Sequence, residues 1–272
     1  MKNWKSISKN GRSERFNAPQ RIVIWGVCPR FETQTLIYDM SLNKDTDLQE
    51  ATANTLYNVL PAVPSIVYND DCMHGLKRFP DKCFDLAIVD PPYGIGAYWM
   101  KQKHTQHYGL KDWNESAPGA EYFEQLFRVS KNQIVWGGNY FTKFLPVTNS
   151  WIYWDKGSDV QKMNTSEGEL AWTSFKIPMR KIYVQWSGAR KGNETGIKCI
   201  HPCQRPIALH DWLLMNYASE GDLILDTHLG SGSIAIACHY MKRKLIGYEI
   251  DAEYYEKACK RFKEQTAQQA LW

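Results

Sequence analysis

The 272-residue sequence lacks a long apolar run. No stretch approaches the ~20 consecutive apolar residues that a membrane-spanning helix needs. The basic N-terminus has no apolar segment behind it of the kind that a signal peptide carries. These absences predict that a membrane is not a partner. What the chain does have is the composition of an ordinary globular protein, 43% hydrophobic and 23% charged, at a length that suits one α/β domain with an extension.

Cysteine pairs and metal-ligand spacings are missing as well. The seven cysteines form an odd, scattered set, which favours reduced thiols and predicts a cytoplasmic location. Cysteine and histidine lie close together in residues 199–203, as do two histidines in residues 104–107, but neither segment has a second ligand pair at zinc spacing. We therefore predict no metal. The small basic excess, 33 against 29 acidic residues, allows a polyanionic partner without requiring one.

The most informative stretch is Asp90-Pro91-Pro92-Tyr93, which follows the apolar run Phe84–Val89. That run predicts a buried parallel strand, and the two prolines end it and stiffen the backbone. Ligands bind at the C-terminal edge of such sheets. Asp90 and the Pro91 carbonyl could accept the two hydrogens of a planar amino group, while the Tyr93 ring could stack on the attached base. The alternative is a structural proline turn with a surface tyrosine.

A second strand–loop–helix pattern lies near the C-terminus. Residues 222–226 predict a strand that leads into a glycine loop, and residues 244–249 predict the next strand, which ends in Glu249. Gly230 and Gly232 allow the backbone to approach a ligand closely at a helix N-terminus. A carboxylate about twenty residues further on can bind ribose hydroxyls. Because the third glycine of the dinucleotide fingerprint is absent, a dehydrogenase is disfavoured.

The alternation of strands and helices predicts an α/β fold, with a Rossmann-like domain over residues 65–272 and an N-terminal extension of unclear role over residues 1–64. Within the extension, residues 21–27 and 35–38 could be strands and residues 48–60 a helix. The remaining predicted strands are 66–68, 133–136, 151–155, 169–175 and 181–186. The predicted helices are 73–79, 121–129, 206–218, 234–241 and one from Asp251 to about residue 268.

Several separated motifs, in this order, resemble the S-adenosylmethionine-dependent amino-methyltransferases of DNA. Asp90 to Tyr93 resembles their catalytic motif, and residues 226–233 resemble the Asp-Pro-Phe-x-Gly-Ser-Gly-Thr cofactor loop, with Thr227 and His228 in place of Pro and Phe. His201-Pro202-Cys203-Gln204-Arg205-Pro206 resembles a His-Pro-Thr-x-Lys-Pro segment, and residues 69–72 resemble a Gly-Asp-Cys turn. The order, with the catalytic half first, is that of the circularly permuted beta class, which implies a mostly parallel, permuted sheet.

The resemblance implies S-adenosyl-L-methionine as the cofactor and double-stranded DNA as the partner. It implies that Asp90, Pro91, Pro92 and Tyr93 are catalytic. The residues that it implies for cofactor binding are Asp71, Cys72, His201, Arg205, Asp226, Gly230, Ser231, Gly232, Ser233 and Glu249. Asp71 and the Cys72 backbone would hold the adenine and Glu249 the ribose, with His201 and Arg205 near the carboxylate. Asp71 could also be a helix N-cap.

An aspartate at the first motif position favours the N6 of adenine in this family. Cytosine N4 stays open, as do RNA adenine and an inactive module that only binds DNA and cofactor; Asp90 argues against methylation of protein glutamine. Direct transfer requires the target base to be flipped out of the duplex. Residues 97–117 and the basic residues 176–198 are candidate DNA-contact segments, although the latter could be a solvated edge strand. A homodimer and a cognate restriction endonuclease are partners that the resemblance allows.

Overall fold

The structure, a computed structural model, describes residues 21–25, 65–95, 116–157, 166–186 and 190–267, the first of these as backbone only. Its strands are β1 Arg21–Trp25, β2 Ser65–Asn69, β3 Phe84–Val89, β4 Ser130–Trp136, β5 Trp151–Asp155, β6 Gly168–Thr173, β7 Arg180–Tyr183, β8 Leu223–Asp226 and β9 Lys244–Tyr248. Its α-helices are α1 Cys72–Leu76, α2 Ala120–Val129, α3 Ile207–Tyr217, α4 Ser233–Tyr240 and α5 Ala252–Ala267.

All nine strands form one sheet in the order β1-β2-β9-β8-β3-β4-β6-β5-β7. The central strands β2, β9, β8, β3 and β4 are parallel, whereas β1 and β6 pair antiparallel to their neighbours β2 and β4. The predicted mostly parallel α/β fold is confirmed. The strands that precede Asp90 and the glycine loop, β3 and β8, are direct neighbours, as their motifs required.

The core lies on both faces of the sheet because successive side chains of a strand point to opposite sides. In β3, Leu86 and Ile88 pack with α3, α4 and α5 on one face, whereas Ala87 and Val89 pack with α1 and α2 on the other. A strand buried on both faces reads as a continuous apolar run, which is why β3 was visible in the sequence.

The predicted elements within the described residues are present with shifted ends, and the last helix begins after Asp251, whose carboxylate accepts the backbone N–H groups of Glu253 and Tyr254 as an N-cap does. The predicted strand at 35–38, the helix at 48–60 and most of segment 97–117 lie outside the described residues. β1 pairs with β2, so the N-terminal segment contributes an edge strand to the domain's sheet. Among the described helices, none is long and apolar enough to cross a membrane.

Candidate active site

One cavity of about 1490 Å³ opens at the C-terminal edge of the parallel strands. It lies beyond the ends of β2, β3, β8 and β9. The predicted site residues that line it are Asp71, Cys72, Asp90, Pro91, Pro92, Tyr93, His201, Arg205, Asp226, Gly230, Ser231, Ser233 and Glu249. Gly232 is the one predicted residue that does not line it. A single drug-sized ligand fills roughly 300–1,000 Å³, so this cavity has room for a cofactor and a second ligand.

The Asp90 carboxylate has one occupied and one open oxygen. Its Oδ1 accepts a hydrogen bond from the Tyr93 hydroxyl at 2.7 Å and forms an ion pair with the guanidinium of Arg205 at 2.6 Å. No described residue hydrogen-bonds its Oδ2 or the carbonyl of Pro91. These two free acceptors lie on adjacent residues at the cavity wall. Two acceptors on one stiff turn suit a ligand group that has two hydrogens to donate.

Arg205 is the centre of a buried charge cluster. Its side chain is 7% exposed, and besides Asp90 it pairs with Glu169, whose other carboxylate oxygen accepts from Lys156 at 2.5 Å. Burial opposes ionisation of Glu169, but the charges of Arg205 and Lys156 outweigh it and lower its pKa to about 2. The guanidinium also lies over the Trp136 ring, 4.6 Å from its centroid. Arg205 therefore holds the Asp90–Tyr93 turn against β6, a contact that the motif resemblance did not indicate.

The shape of the glycine loop after β8 depends on two left-handed glycines and on Glu249, which directly follows the neighbouring strand β9. Gly230 and Gly232 have φ of 55° and 72°, a region that costs other L-residues energy. Glu249 accepts the N–H groups of Gly230 at 2.8 Å and Asp251 at 2.9 Å. Burial raises the pKa of Glu249 to about 7 and that of Asp226 to about 8. Titratable groups with strongly perturbed pKa values cluster at functional sites, which makes this loop a candidate.

A second buried network ties the loop to the His201–Pro206 segment. The Ser233 hydroxyl donates to the Arg205 carbonyl at 2.7 Å, and Arg261 on α5 donates to both Ser231 and Ser233. Arg261 also pairs with Glu194 at 3.0 Å. These contacts fix where the loop stands relative to Arg205. Arg261 and Glu194 lie outside every motif, so sequence reasoning missed them.

The remaining cofactor-site predictions have clear structural surroundings. His201 packs edge-on against Tyr254 at 4.4 Å, and burial lowers its pKa to about 3, so it is neutral at pH 7. Asp71 is the N-cap of α1, because its carboxylate accepts a hydrogen bond from the Met73 N–H at 2.9 Å. This confirms the N-cap interpretation of Asp71 that the sequence allowed. Asp71 also lines the cavity, so both functions remain compatible.

The substituted positions in the loop form a polar chain. The Thr227 hydroxyl lies 2.7 Å from the Tyr122 hydroxyl and 2.8 Å from His228 Nδ1. Burial lowers the pKa of His228 to about 4, so its ring is neutral at pH 7. Because the Thr227 hydroxyl and His228 Nδ1 form a hydrogen bond with each other, these two polar side chains fit into the loop.

The basic residues of segment 176–198 lie mostly on the surface. Lys176, Arg180, Arg190 and Lys198 are exposed, and β7, which contains Arg180, is the last strand of the sheet. Lys181 pairs with Asp155 at 2.7 Å, and Lys191 donates to the Ile197 carbonyl at 3.0 Å. The location fits either a phosphate-contacting surface or a solvated edge. Among the described residues, no group of three or more histidine, cysteine, aspartate or glutamate side chains could hold a metal ion.

Comparison with known proteins finds sequences and structures to which this chain is similar. Residues 143–260 match the N6_N4_Mtase family model, which is described as DNA methylase. The matched segment contains Arg205, the glycine loop and Glu249. The type II methyltransferase M.HpaI of Haemophilus parainfluenzae is 24% identical over 70% of this chain and 72% of its own length. M2.MboI of Moraxella bovis is 25% identical over 74% of this chain and 88% of its own. The C-terminal half of the chain is thus similar to DNA methylases, and most of the chain is similar to type II methyltransferases.

The comparison with solved structures concerns the fold. The structure of the cytosine-N4-specific PvuII DNA methyltransferase matches with a TM-score of 0.50 at 16% identity, covering 76% of this chain and 93% of its own. A complex of M1.HpyAVI with SAM matches with a TM-score of 0.47 at 20% identity, covering 72% and 98%. The Asp90–Tyr93 motif lies outside the segment that the family model matches.

Proposed function

We propose that this protein is a DNA methyltransferase that transfers a methyl group from S-adenosyl-L-methionine to the exocyclic N6 of adenine in a flipped-out base. The observation that carries the proposal is the pairing of two motifs across one cavity. Asp90-Pro91-Pro92-Tyr93 ends β3, the glycine loop ends its neighbour β8, and both line the same space. A cofactor-binding loop and an acceptor pair for an amino group are thereby brought to one place.

The residues fit the cofactor. S-adenosyl-L-methionine, when bound, supplies an activated methyl group on a sulfonium. Glu249 has lone pairs left on both oxygens after accepting Gly230 and Asp251, and these can receive ribose hydroxyls. A side chain at Gly230 would begin 3.3 Å from His201, so the glycine keeps the space between loop and ring clear. Asp71 and the Cys72 backbone at the start of α1 are proposed to hold the adenine.

The target amino group is a poor nucleophile because its lone pair is delocalised into the base. We infer that Asp90 Oδ2 and the Pro91 carbonyl accept its two hydrogens, which favours a pyramidal nitrogen and fixes the direction of the lone pair. Arg205 and Tyr93 hold Oδ1, so the carboxylate cannot rotate freely. Such orientation of the reacting groups supplies much of the acceleration in a displacement reaction, and no covalent enzyme intermediate is needed.

Cytosine N4 is the second candidate, because the matched family model covers N6 and N4 enzymes. Both amino groups have two hydrogens and would meet the same acceptors. Sequencing the methylated positions in DNA from cells that express the chain would define the recognition sequence. Mass spectrometry of the digested nucleosides would then distinguish N6-methyladenine from N4-methylcytosine. A homodimer, a restriction partner and cytoplasmic location stay predictions.

Replacement of Asp90 tests the catalytic assignment. Asp90→Ala should lower the methyl-transfer rate about a hundredfold or more, because loss of one acceptor in a dry, preorganised site costs on the order of 3 kcal/mol. Calorimetric affinity for S-adenosyl-L-methionine should stay within about threefold, since Glu249 and the glycine loop are untouched. Asp81→Ala is the matched control, because Asp81 is a 75%-exposed carboxylate outside the cavity. Near-normal turnover of Asp90→Ala would leave the proline turn as a structural stop.

A further inference from the structure

Tyr140 is an exposed aromatic residue inside the proposed active site. Its side chain is 52% exposed, yet its ring is stacked on Tyr93 with a centroid distance of 4.6 Å and an interplanar angle of 11°. It lines the cavity that contains Asp90. No described residue hydrogen-bonds its hydroxyl. Half-exposed, stacked and without a polar partner, the ring is available to a ligand in the cavity.

The backbone after β4 is built to bring Tyr140 to this place. Gly137 is left-handed, with φ of 64°, and a Cβ there would lie 2.2 Å from the Tyr93 ring. A Cβ at Gly138 would lie 2.5 Å from that of Trp172. The two glycines therefore let the 3-10 turn Gly138–Tyr140 approach Tyr93 closely, with the Tyr140 N–H donating to the Gly137 carbonyl at 2.8 Å.

The buried residue after Tyr140 fixes the turn to the core, whereas Tyr140 itself is exposed to the cavity. Phe141 is 1% exposed and packs edge-on against Tyr93 at 6.0 Å. Tyr93 itself is fixed, because its hydroxyl donates to Asp90 and accepts from Arg205 at 3.0 Å. Tyr93 is thus a rigid ring at the reacting group, and Tyr140 extends its aromatic surface toward the open side of the cavity.

We propose that Tyr140 is a base-binding residue, which stacks on the flipped target base and together with Tyr93 forms a two-ring platform. The inference rests on the proposed function, since it requires a nucleobase in the cavity. Stacking on an aromatic side chain replaces the stacking that a base loses when it leaves the duplex. In this role Tyr140 stabilises the flipped-out base in the cavity and has no part in binding the cofactor.

The test compares Tyr140→Ala and Tyr140→Phe on duplexes that carry the sequence methylated by the wild-type protein. Tyr140→Ala should lower kcat/KM by about 5- to 150-fold, the equivalent of about 1–3 kcal/mol of stacking on one base. Tyr140→Phe should retain the wild-type value, because the ring and not the hydroxyl makes the contact. Affinity for S-adenosyl-L-methionine should be the same in all three. Tyr240→Ala is the control, since Tyr240 is 36% exposed on α4 and does not line the cavity.

A second substrate separates base capture from a structural effect. When the target base lies opposite an abasic position, leaving the duplex costs less, so most of the bound complex already has its base flipped and the defect of Tyr140→Ala in kcat at saturating duplex should shrink severalfold. An equal loss of kcat on both duplexes would overturn the proposal, as would wild-type or higher activity of Tyr140→Ala. A loss in Tyr140→Phe as large as in Tyr140→Ala would also overturn it. A wild-type protein that transfers no methyl group to any DNA would instead contradict the proposed function.

Discussion

Removal of the Arg205 guanidinium should show how much of the protein's stability depends on the charge cluster that contacts the Asp90–Tyr93 turn. Arg205→Met keeps an unbranched side chain of similar length but leaves Asp90 without its cation and Glu169 with Lys156 alone. Breaking a buried pair in this way costs roughly 3–5 kcal/mol. The lowering of the Glu169 pKa from 4.5 to about 2 corresponds to about 3 kcal/mol, shared between Arg205 and Lys156. We therefore expect a loss of about 3 kcal/mol.

The stability that Arg205→Met loses should depend on pH. Because the pKa of Glu169 is lower in the folded than in the unfolded protein, its stabilisation is present above about pH 4.5 and is lost as the pH falls through about 2. The free-energy difference between wild type and Arg205→Met should accordingly be largest near pH 7 and smaller at pH 4. Urea unfolding at several pH values measures it, and thermal unfolding should show a Tm lower by roughly 6–12 °C.

A double variant provides the control. Glu169→Gln combined with Arg205→Met removes both partners of the ion pair, so the losses of the two single variants should not add. The coupling between the two substitutions should exceed about 0.5 kcal/mol, as it does for residues in one network. A Tm of Arg205→Met within about 2 °C of wild type would refute the reasoning, and additive effects of the two substitutions would refute the pairing with Glu169.

Two further predictions concern the cofactor and the nucleic acid. Because burial raises the pKa of Glu249 to about 7, its carboxylate becomes mainly charged between pH 6 and pH 8, and a charged acceptor binds ribose hydroxyls more strongly. Calorimetry should show tighter S-adenosyl-L-methionine binding at pH 8 than at pH 6. Binding to Glu249→Gln should be weak and depend less on pH, since only Asp226, with a pKa of about 8, still titrates in the cavity over this range; equal pH dependence in both would contradict this role. Lys176→Ala with Arg180→Ala should weaken DNA binding at all sequences and reduce its salt slope by about one per lost phosphate contact. An unchanged slope, as expected for the control Lys260→Ala on α5, would identify the segment as a solvated edge.

The sequence was sufficient to predict the parallel half of the sheet, because its strands are buried on both faces and stand out as apolar runs. The adjacency of β3 and β8 followed from the expectation that their two motifs take part in one reaction. The same approach could not predict the partner of Arg205, since Glu169 and Lys156 come from the mixed half of the sheet and belong to no motif. Pairings across distant strands leave no local pattern.

Tyr140 shows a different limit. In a sequence with 15 tyrosines, an aromatic residue after a buried strand favours a place in the core. What distinguishes Tyr140 is the pair of glycines before it, whose meaning appears only when a Cβ at each is seen to meet Tyr93 and Trp172. The neighbouring Phe141, buried in the core as such residues usually are, illustrates how little the local sequence separates the two.

The single open oxygen of Asp90 has a consequence for how far the proposed reaction proceeds. A primary amino group can satisfy both Oδ2 and the Pro91 carbonyl, whereas the methylated product has only one hydrogen left and leaves one acceptor unpaired. An unpaired buried acceptor costs about 1–3 kcal/mol, a penalty that applies to the product and not to the substrate. In the proposed reaction we therefore expect the site to release its product readily and to stop at a single methylation, because Arg205 and Tyr93 keep Oδ1 from changing partners.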